Sequence, residues 1–124
     1  MSEFPISILS FGEPPEHKAL LEQIGKAIDV YFGPAHLIDA EAIEKENQWE
    51  AFLSVADLKL ILCCDYSLWQ MGHLMKHFKE IPAAATRHLG KTPLFLLPDL
   101  SLYLKDPLLK RSLWKALCQT ISSL

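Results

Sequence analysis

Residues 92–124 read TPLFLLPDLSLYLKDPLLKRSLWKALCQTISSL and decide the fold of this chain. Within them, residues 94–97 form an unbroken apolar run between two prolines, which is typical of a short strand buried on both faces. The pair Asp106-Pro107 places a capping carboxylate before a proline at the first helical position, which predicts a helix over residues 107–122. A buried strand leading into an amphipathic helix is a recurring unit of α/β folds.

The predicted last helix has an apolar side and a basic side. The apolar side carries Leu109, Leu113, Leu117 and Ile121 at near-helical spacing, beside Trp114 and Cys118. The other side carries Lys110, Arg111, Lys115 and Gln119. We assign Trp114 to the core and expect a loop to begin at Asp99 and lead to the helix.

Length and composition indicate one domain over residues 1–124, because the chain is too short for a second core. Half of the residues are hydrophobic and 22% are charged, which excludes a disordered chain. No apolar run approaches the ~20 residues that a membrane span needs, and the N-terminus lacks the pattern of a secretory signal. We therefore expect a cytoplasmic protein, and its net charge of −3 argues against strong nucleic-acid binding.

Strand and helix patterns alternate four times along the chain. Before the last unit, the predicted strands cover residues 6–11, 35–38 and 58–64, and the predicted helices cover residues 15–31, 40–53 and 68–80. The apolar face of the first helix is expected to contain Leu20, Ile24, Ala27, Ile28 and Tyr31. The alternation predicts a three-layer α/β domain in which about four mostly parallel strands lie between helices on both faces.

The predicted third helix, with Ser67 as its cap and Pro82 at its end, carries more apolar surface than one core-facing side requires. Either the excess packs beneath the following loop, or part of it contacts a partner, since methionine and aromatic side chains are common at interfaces. Our candidate contact residues are Trp69, Met71, Met75 and Phe78 of this helix, with Lys110, Arg111 and Lys115 of the last helix.

The polar residues expected at the carboxyl ends of the strands, where parallel sheets bind ligands, form no recognisable catalytic or cofactor site. They are Glu13, Asp39, Asp65 and Asp99. A phosphoacceptor receiver domain would use Asp65, but it also needs an acidic pair after the first strand, where only Glu13 stands. No glycine-rich phosphate loop follows that strand. We predict no catalytic residue, no cofactor and no metal, with a small flavodoxin-like or receiver-like ligand-binding or signalling domain as the alternative.

Histidine and cysteine residues give no stronger catalytic pattern. His73 and His77 lie four apart on the predicted third helix and could share a metal in an enzyme, but the sequence fixes no third ligand. Cys63, Cys64 and Cys118 are too few for a disulfide scaffold, and we expect the first two to be buried thiols. Burial would raise their pKa and oppose a nucleophilic role.

The C-terminal segment resembles one protein family. LPDLSLYLKDPLLKRSLWKALC is similar to the C-terminal signature of the psi subunit of bacterial DNA polymerase III, with spaced leucines, an Asp-Pro step, a basic pair and Leu-Trp leading into a final helix. The order of the first strand, the helix LLEQIGKAI and the segment HLIDAEAI is also similar to that family. Residues 44–85 match it only in outline.

The resemblance implies a noncatalytic accessory subunit of the clamp-loader complex with an α/β fold. Such a subunit would bridge the clamp-loader ATPase subunits and a chi-like subunit, which in turn binds single-stranded-DNA-binding protein. Psi subunits usually carry an extension that contacts the clamp loader, whereas only MSEFP precedes the predicted first strand here. We therefore expect the clamp-loader contact either to be absent or to use another surface, and no partner-binding position transfers residue by residue.

Overall fold

A mixed sheet is the frame of the structure. The computed structural model describes residues 6–54, 58–81, 83 and 86–123. In this part of the chain the strands are β1 (Ile6–Ser10), β2 (Ala35–Asp39), β3 (Leu60–Cys64), β4 (Phe78–Ile81), β5 (Thr86–Leu89) and β6 (Thr92–Leu97). Their order in the sheet is β2-β1-β3-β6-β5-β4. Strands β2, β1, β3 and β6 are parallel to one another, β5 is antiparallel to β6, and β4 is antiparallel to β5. The four predicted strands are confirmed within two residues at each end, and β4 and β5 are additional.

Helices cover both faces of the sheet. They are α1 (Pro15–Tyr31), α2 (Ala40–Glu46), α3 (Trp49–Leu53), α4 (Asp65–Leu68), α5 (Gly72–Met75), α6 (Leu100–Lys105) and α7 (Pro107–Ser122). Buried side chains of α1, α6 and α7 form a first apolar cluster with one face of the sheet, and those of α2 to α5 form a second cluster with the other. None of the described helices is long and apolar enough to cross a bilayer.

The side chains of β3 show how the two clusters share the sheet. Leu60, Leu62 and Cys64 lie in the first cluster, whereas Ile61 and Cys63 lie in the second. Successive side chains of a strand point to opposite faces, so an all-apolar strand requires cover on both sides. The predicted α/β class is therefore confirmed.

Helices α1 and α7 begin and end where the sequence predicts. Each begins at a proline, Pro15 or Pro107, whose fixed φ angle suits the first helical position and whose missing N–H is not needed there. The carboxylate of Asp106 caps α7 by accepting a hydrogen bond from the N–H of Leu108 at 2.9 Å.

The buried face of α7 starts one turn later than predicted. Leu113, Leu117 and Ile121 pack in the first cluster, but Leu109, one turn earlier, is 38% exposed. Trp114, assigned to the core from the sequence, is half-buried against the same cluster. Its ring centroid lies 6.0 Å from that of Tyr31 and 6.3 Å from that of Phe32.

The loop predicted from Asp99 is instead the short helix α6. Asp99 caps it, because its Oδ1 accepts hydrogen bonds from the N–H of Ser101 at 3.0 Å and from the Ser101 hydroxyl at 2.8 Å. The helix buries Leu100 and Tyr103 in the first cluster. Asp99 thus starts α6 two residues after β6 ends.

The helix predicted over residues 40–53 is broken into α2 and α3. Asn47 ends α2 in the left-handed conformation, with φ 53°, which asparagine adopts more readily than most residues. The break turns the chain so that Trp49, fully buried in the second cluster, lies beside Glu44. Apolar spacing alone did not reveal this break, because the residues on both sides of it are helical.

Glu44 joins three parts of the chain through its carboxylate. It accepts hydrogen bonds from the indole N–H of Trp49 at 2.8 Å and from the backbone N–H groups of His73 and Leu74 at 2.9 and 3.1 Å. The last two N–H groups belong to the first turn of α5, so Glu44 caps this helix from a distant point in the sequence. Burial raises the pKa of Glu44, but the hydrogen bonds from His73, Trp49 and Leu74 outweigh burial and leave the pKa below its usual value.

The prediction of a single helix over residues 68–80 is wrong. Helix α4 begins at Asp65 rather than after a Ser67 cap, α5 begins at Gly72, a poor helix former, and β4 pairs with β5. The turn between β5 and β6 contains Gly90 at φ 62°, a conformation that suits glycine, and the hairpin carries β5 and β4 to the edge of the sheet. Strand pairing therefore overrides the helical spacing of the apolar residues. Pro82, expected to end the helix, lies outside the described residues.

We expect Glu44→Ala to lower the free energy of unfolding by about 2 kcal/mol, because the indole N–H of Trp49 and two backbone N–H groups lose their acceptor. Urea unfolding followed by tryptophan fluorescence measures the change. The matched control is Glu46→Ala at the exposed end of the same helix, with an expected change below about 0.5 kcal/mol. Equal losses in the two variants would show that the Glu44 contacts do not stabilise the fold.

The contribution of Glu44 should also depend on pH, since its ionised form is the stronger acceptor. The pKa of Glu44 in the folded protein lies below the usual value of 4.5. The contribution is therefore fully present above pH 4.5 and is lost as the pH falls through the lower pKa of the folded state. Unfolding curves between about pH 7 and about pH 3 should show a smaller loss of stability on acidification in Glu44→Gln than in the unmodified protein. An identical pH dependence would contradict this assignment.

Candidate interaction surfaces

The predicted contact residues lie on both faces of the sheet rather than on one surface. Trp69, Met71, Met75 and Phe78 lie with α4, α5 and β4 on the side of the second cluster. Lys110, Arg111 and Lys115 lie on α7, which packs on the opposite face. The structure therefore separates the apolar group from the basic group, and each has its own neighbours.

The apolar group contains an aromatic patch, which we define as Trp69 and Phe78, and the exposed Tyr66 lies three residues before Trp69 in the sequence. Tyr66 is 74% exposed and Trp69 is 55% exposed, although both follow the fully buried strand β3. The indole N–H of Trp69 donates a hydrogen bond to Asp65 at 2.6 Å, and its ring lies edge-on to Phe78 with centroids 5.5 Å apart. These contacts hold a large aromatic side chain at the surface in one orientation.

Met71, Met75 and Phe78 are less exposed than Trp69. All three are half-buried and pack against the second cluster. Of the four predicted apolar contact residues, only Trp69 is mostly exposed. A substitution of Trp69 therefore tests the surface with the least disturbance of the core.

On the opposite face, a groove runs between α1 and α7. Its walls are Leu20, Gln23, Ile24 and Ala27 of α1 and Lys110, Leu113, Trp114 and Leu117 of α7. Helix α6 packs against both α1 and α7. The volume of this α1–α7 groove is about 150 Å³, which is small for a pocket that encloses a small-molecule ligand and suits the side chains of a docked segment.

Two exposed apolar residues, Val30 and Tyr31, end α1, and Tyr31 borders the α1–α7 groove through Trp114. Val30 is 76% exposed and Tyr31 is 73% exposed, and the Tyr31 ring lies against Trp114. Helical spacing predicts Tyr31 on the apolar face of α1, but Tyr31 lies in the last turn, where it contacts Trp114 of α7 and is mostly exposed. Helical periodicity shows which side of a helix is apolar, but it cannot show that the end of the helix projects beyond the surface on which it packs. No sequence pattern predicts the exposure of Val30.

A larger crevice lies at the carboxyl ends of β1, β3 and β6. Its volume is about 480 Å³, and Glu13, His17, Cys64, Tyr66 and Asp99 are among its lining residues. Strands β2 and β3 lie on opposite sides of β1, and open α/β sheets bind ligands at such a point. The location therefore agrees with the strand-end positions that the sequence analysis considered.

The carboxylates near this crevice make local hydrogen bonds. Glu13 accepts from the Ser10 hydroxyl at 2.9 Å and from the N–H of Phe11 at 3.0 Å. Asp65 accepts from the indole of Trp69, and Asp99 caps α6. Asp39, at the end of β2, is exposed at the start of α2. Aspartates in these positions commonly order turns and helix ends.

The pair of histidines considered as metal ligands does not share a helix. His73 lies in α5, whereas His77 follows the end of α5, and its carbonyl oxygen accepts a hydrogen bond from the N–H of Gly90 at 2.8 Å. Over residues 6–54, 58–81, 83 and 86–123, no three His, Cys, Asp or Glu side chains come together in a way that could hold a metal ion. The prediction that His73 and His77 lie on one helix is therefore wrong.

Cys63 and Cys64 are buried in β3, as predicted. Burial raises the pKa of Cys64 to about 12, with a further contribution from the nearby carboxylate of Glu13. Burial likewise raises the pKa of Cys63 well above its usual value. Because the thiolate is the nucleophilic form, these thiols should be unreactive at neutral pH.

We expect iodoacetamide at neutral pH to modify Cys118 of the folded protein before it modifies Cys63 or Cys64, since Cys118 is only half-buried. Peptide mass spectrometry after timed quenching measures the three rates. In urea the three rates should become similar, which controls for sequence effects. A Cys64 that reacts as fast as Cys118 in the folded protein would contradict the burial argument.

Comparisons with known proteins identify no relative of this chain. No protein-family model, no curated protein and no solved structure matches it. The resemblance to the psi subunit therefore remains a prediction carried by the sequence patterns in the first unit and in the C-terminal segment.

Proposed function

We propose that this protein is a noncatalytic adaptor similar to the psi subunit of DNA polymerase III. In this role it would bridge the clamp loader and a chi-like subunit that binds single-stranded-DNA-binding protein. The observation that carries the proposal is the division of the exposed aromatic and apolar residues between two faces of one sheet. The aromatic patch lies on one face and the α1–α7 groove, with Val30 and Tyr31, lies on the other.

Two separated surfaces suit bridging, because two partners can then bind at the same time without competing. Large exposed apolar side chains are costly to solvate unless they contact a partner, and aromatic residues often anchor interfaces. We take the sheet and its helices as one three-layer domain, which would hold the two partners at a fixed separation. Binding of one partner then raises the effective concentration of the other.

The local chemistry agrees with a noncatalytic role. The carboxylates Glu13, Asp65 and Asp99 are engaged with neighbouring N–H or hydroxyl groups, and the thiols of β3 are buried. These hydrogen bonds give the carboxylates a role in ordering turns and helix ends, and a buried thiol with a raised pKa is a poor nucleophile. We therefore assign the protein's activity to its contact surfaces.

A second candidate function is supported by the crevice at the strand ends. With about 480 Å³ and a partly apolar lining that includes Tyr66 and Leu100, it is large enough for a small ligand. A flavodoxin-like or receiver-like binding domain would use this location. Native mass spectrometry of the purified protein separates the two candidates, because a bound nucleotide or flavin favours the ligand-binding domain.

For the adaptor, we expect the purified protein to be retained by immobilised clamp-loader complex and by a chi-like subunit. We expect Trp69→Ser to weaken one of these two interactions by about tenfold or more, because it removes the exposed anchor of the aromatic patch. Affinity measurements with each partner separately give the result. The other interaction should remain unchanged, since it uses the opposite face.

The matched control for this experiment is Gln70→Ser, a change of the neighbouring exposed residue that leaves the aromatic patch intact. Far-ultraviolet circular dichroism, which reports the backbone fold rather than the deleted indole, should be alike for the two variants. If neither immobilised partner retains the unmodified protein, the proposed adaptor function is wrong. Loss of the folded spectrum in Trp69→Ser would instead place Trp69 among the residues that hold the core together.

A further inference from the structure

We propose that the α1–α7 groove binds an acidic amphipathic helix of a protein partner. This inference rests on the proposed adaptor function, and it names the chemistry of the segment that docks on one of the two surfaces. Three features of the groove carry it: its apolar floor between two long helices, its exposed aromatic end and its one-sided charge.

The first feature is the shape of the groove. The residues that line it lie within 20–27 of α1 and 110–117 of α7, about two turns of each helix, so the groove is about 11 Å long. The floor between them is lined by Leu20, Ala27, Leu113 and Leu117. A channel between two helices accepts the apolar stripe of a third helix, whose anchor side chains recur every three or four residues.

The second feature is the set of exposed aromatic and apolar side chains at one end. Trp114 lies in the wall of the groove, and Tyr31 packs on it while remaining mostly exposed. Val30, the residue before Tyr31, has three quarters of its surface in contact with solvent. Tryptophan and tyrosine next to a cleft are typical anchors of protein interfaces, since they bury a large area with little loss of conformational freedom.

The third feature is charge. Helix α7 contains Lys110, Arg111 and Lys115 and has no Asp or Glu in its sequence. Lys110 lines the groove, and Arg111 and Lys115, which are four apart, form one exposed basic strip along the same helix. The only salt bridge among the described residues joins Glu80 and Arg87 elsewhere, so the basic strip has no carboxylate partner in this part of the chain.

This basic strip stands out because the protein as a whole is acidic. Four of its twelve Lys and Arg residues lie in residues 100–122, with only one of its fifteen Asp and Glu residues. The C-terminal helices therefore attract an acidic segment, whereas the rest of the protein repels it. Complementary charge of this kind speeds association and selects the partner.

A protein segment fits these features better than a nucleic acid does. Few cations lie beside the groove, the net charge is −3, and strong nucleic-acid binding depends on many contacts to phosphate. The floor is aliphatic and narrow, so it matches leucine and phenylalanine side chains rather than stacked bases. An acidic helix with an apolar stripe can place its apolar side chains on the floor of the groove and its carboxylates beside the basic strip.

The test uses the full chain and a fluorescein-labelled amphipathic peptide of about 16 residues, with leucine and phenylalanine on one face and glutamate on the other. The matched peptide replaces every glutamate by lysine. We expect fluorescence anisotropy to show binding of the acidic peptide only, weakening by about tenfold between low salt and physiological salt. Equal binding of both peptides, or binding of neither, would overturn the proposal.

Two variants locate the binding site. Lys110→Glu combined with Arg111→Glu reverses the charge in the wall of the groove and at the next residue of α7, and Ala27→Leu fills the groove without changing charge. Each variant should lower the affinity for the acidic peptide by about tenfold or more. The control is Lys26→Glu, which reverses a charge on the side of α1 that faces β2. Full binding by both groove variants, or an equal loss in the control, would overturn the proposal.

Two further measurements test other occupants. Competition by an oligothymidylate as strong as that by unlabelled acidic peptide would assign the groove to nucleic acid instead. Sedimentation that shows a dimer, abolished by Ala27→Leu, would assign it to a second copy of this chain. Either result would overturn the proposal, whereas a monomer with no competition from the oligonucleotide supports it.

The peptide experiment contains no replication protein, so it separates this inference from the adaptor function. If the clamp loader and the chi-like subunit retain the protein but the acidic peptide does not bind, the adaptor function stands and the groove inference fails. If the peptide binds in the groove but neither partner retains the protein, the proposed replication role fails and the groove chemistry remains.

Discussion

The burial of β3 on both faces is the constraint on which the rest of the structure depends. All five of its residues, Leu60–Cys64, are buried, and their side chains alternate between the two apolar clusters. A strand of this kind cannot lie at a surface, so it requires neighbouring strands on both edges and helices on both faces. β1 and β6 provide the edges, α1, α6 and α7 cover one face, and α2 to α5 cover the other. The separation of the two candidate contact surfaces follows from this layering.

Much of this frame could be predicted from the sequence, because local chemistry and tertiary structure agree there. The proline at the start of α1 and the Asp106-Pro107 step of α7 determine helix starts locally, and the all-apolar runs of β3 and β6 suit only buried strands. The region between them could not be predicted in this way. Residues 78–81 have helical apolar spacing, but they pair with β5, and this pairing depends on a hairpin turn at Gly90 that comes later in the chain.

The candidate surfaces were predictable to a lesser degree. The sequence identified Trp69 and the basic residues of α7 as contact candidates, but it gave no strand order and so could not show that the sheet separates them. The groove was missed for a similar reason. Its two walls are about 85 residues apart in sequence, and only the fold places Ala27 opposite Trp114. Tyr31 shows the limit of periodicity, since a residue in the last turn of a helix can share the buried face and still project beyond the core.

The outer strand β4 has a consequence for how this molecule can associate. It is only four residues long, Lys79 and Glu80 at its centre are exposed, and a proline follows it in the sequence. Short length, charge and proline are the features by which natural proteins prevent another chain from adding to a sheet border. Continuous strand-to-strand growth, the first step towards fibrils, is therefore discouraged at the β4 edge of the sheet.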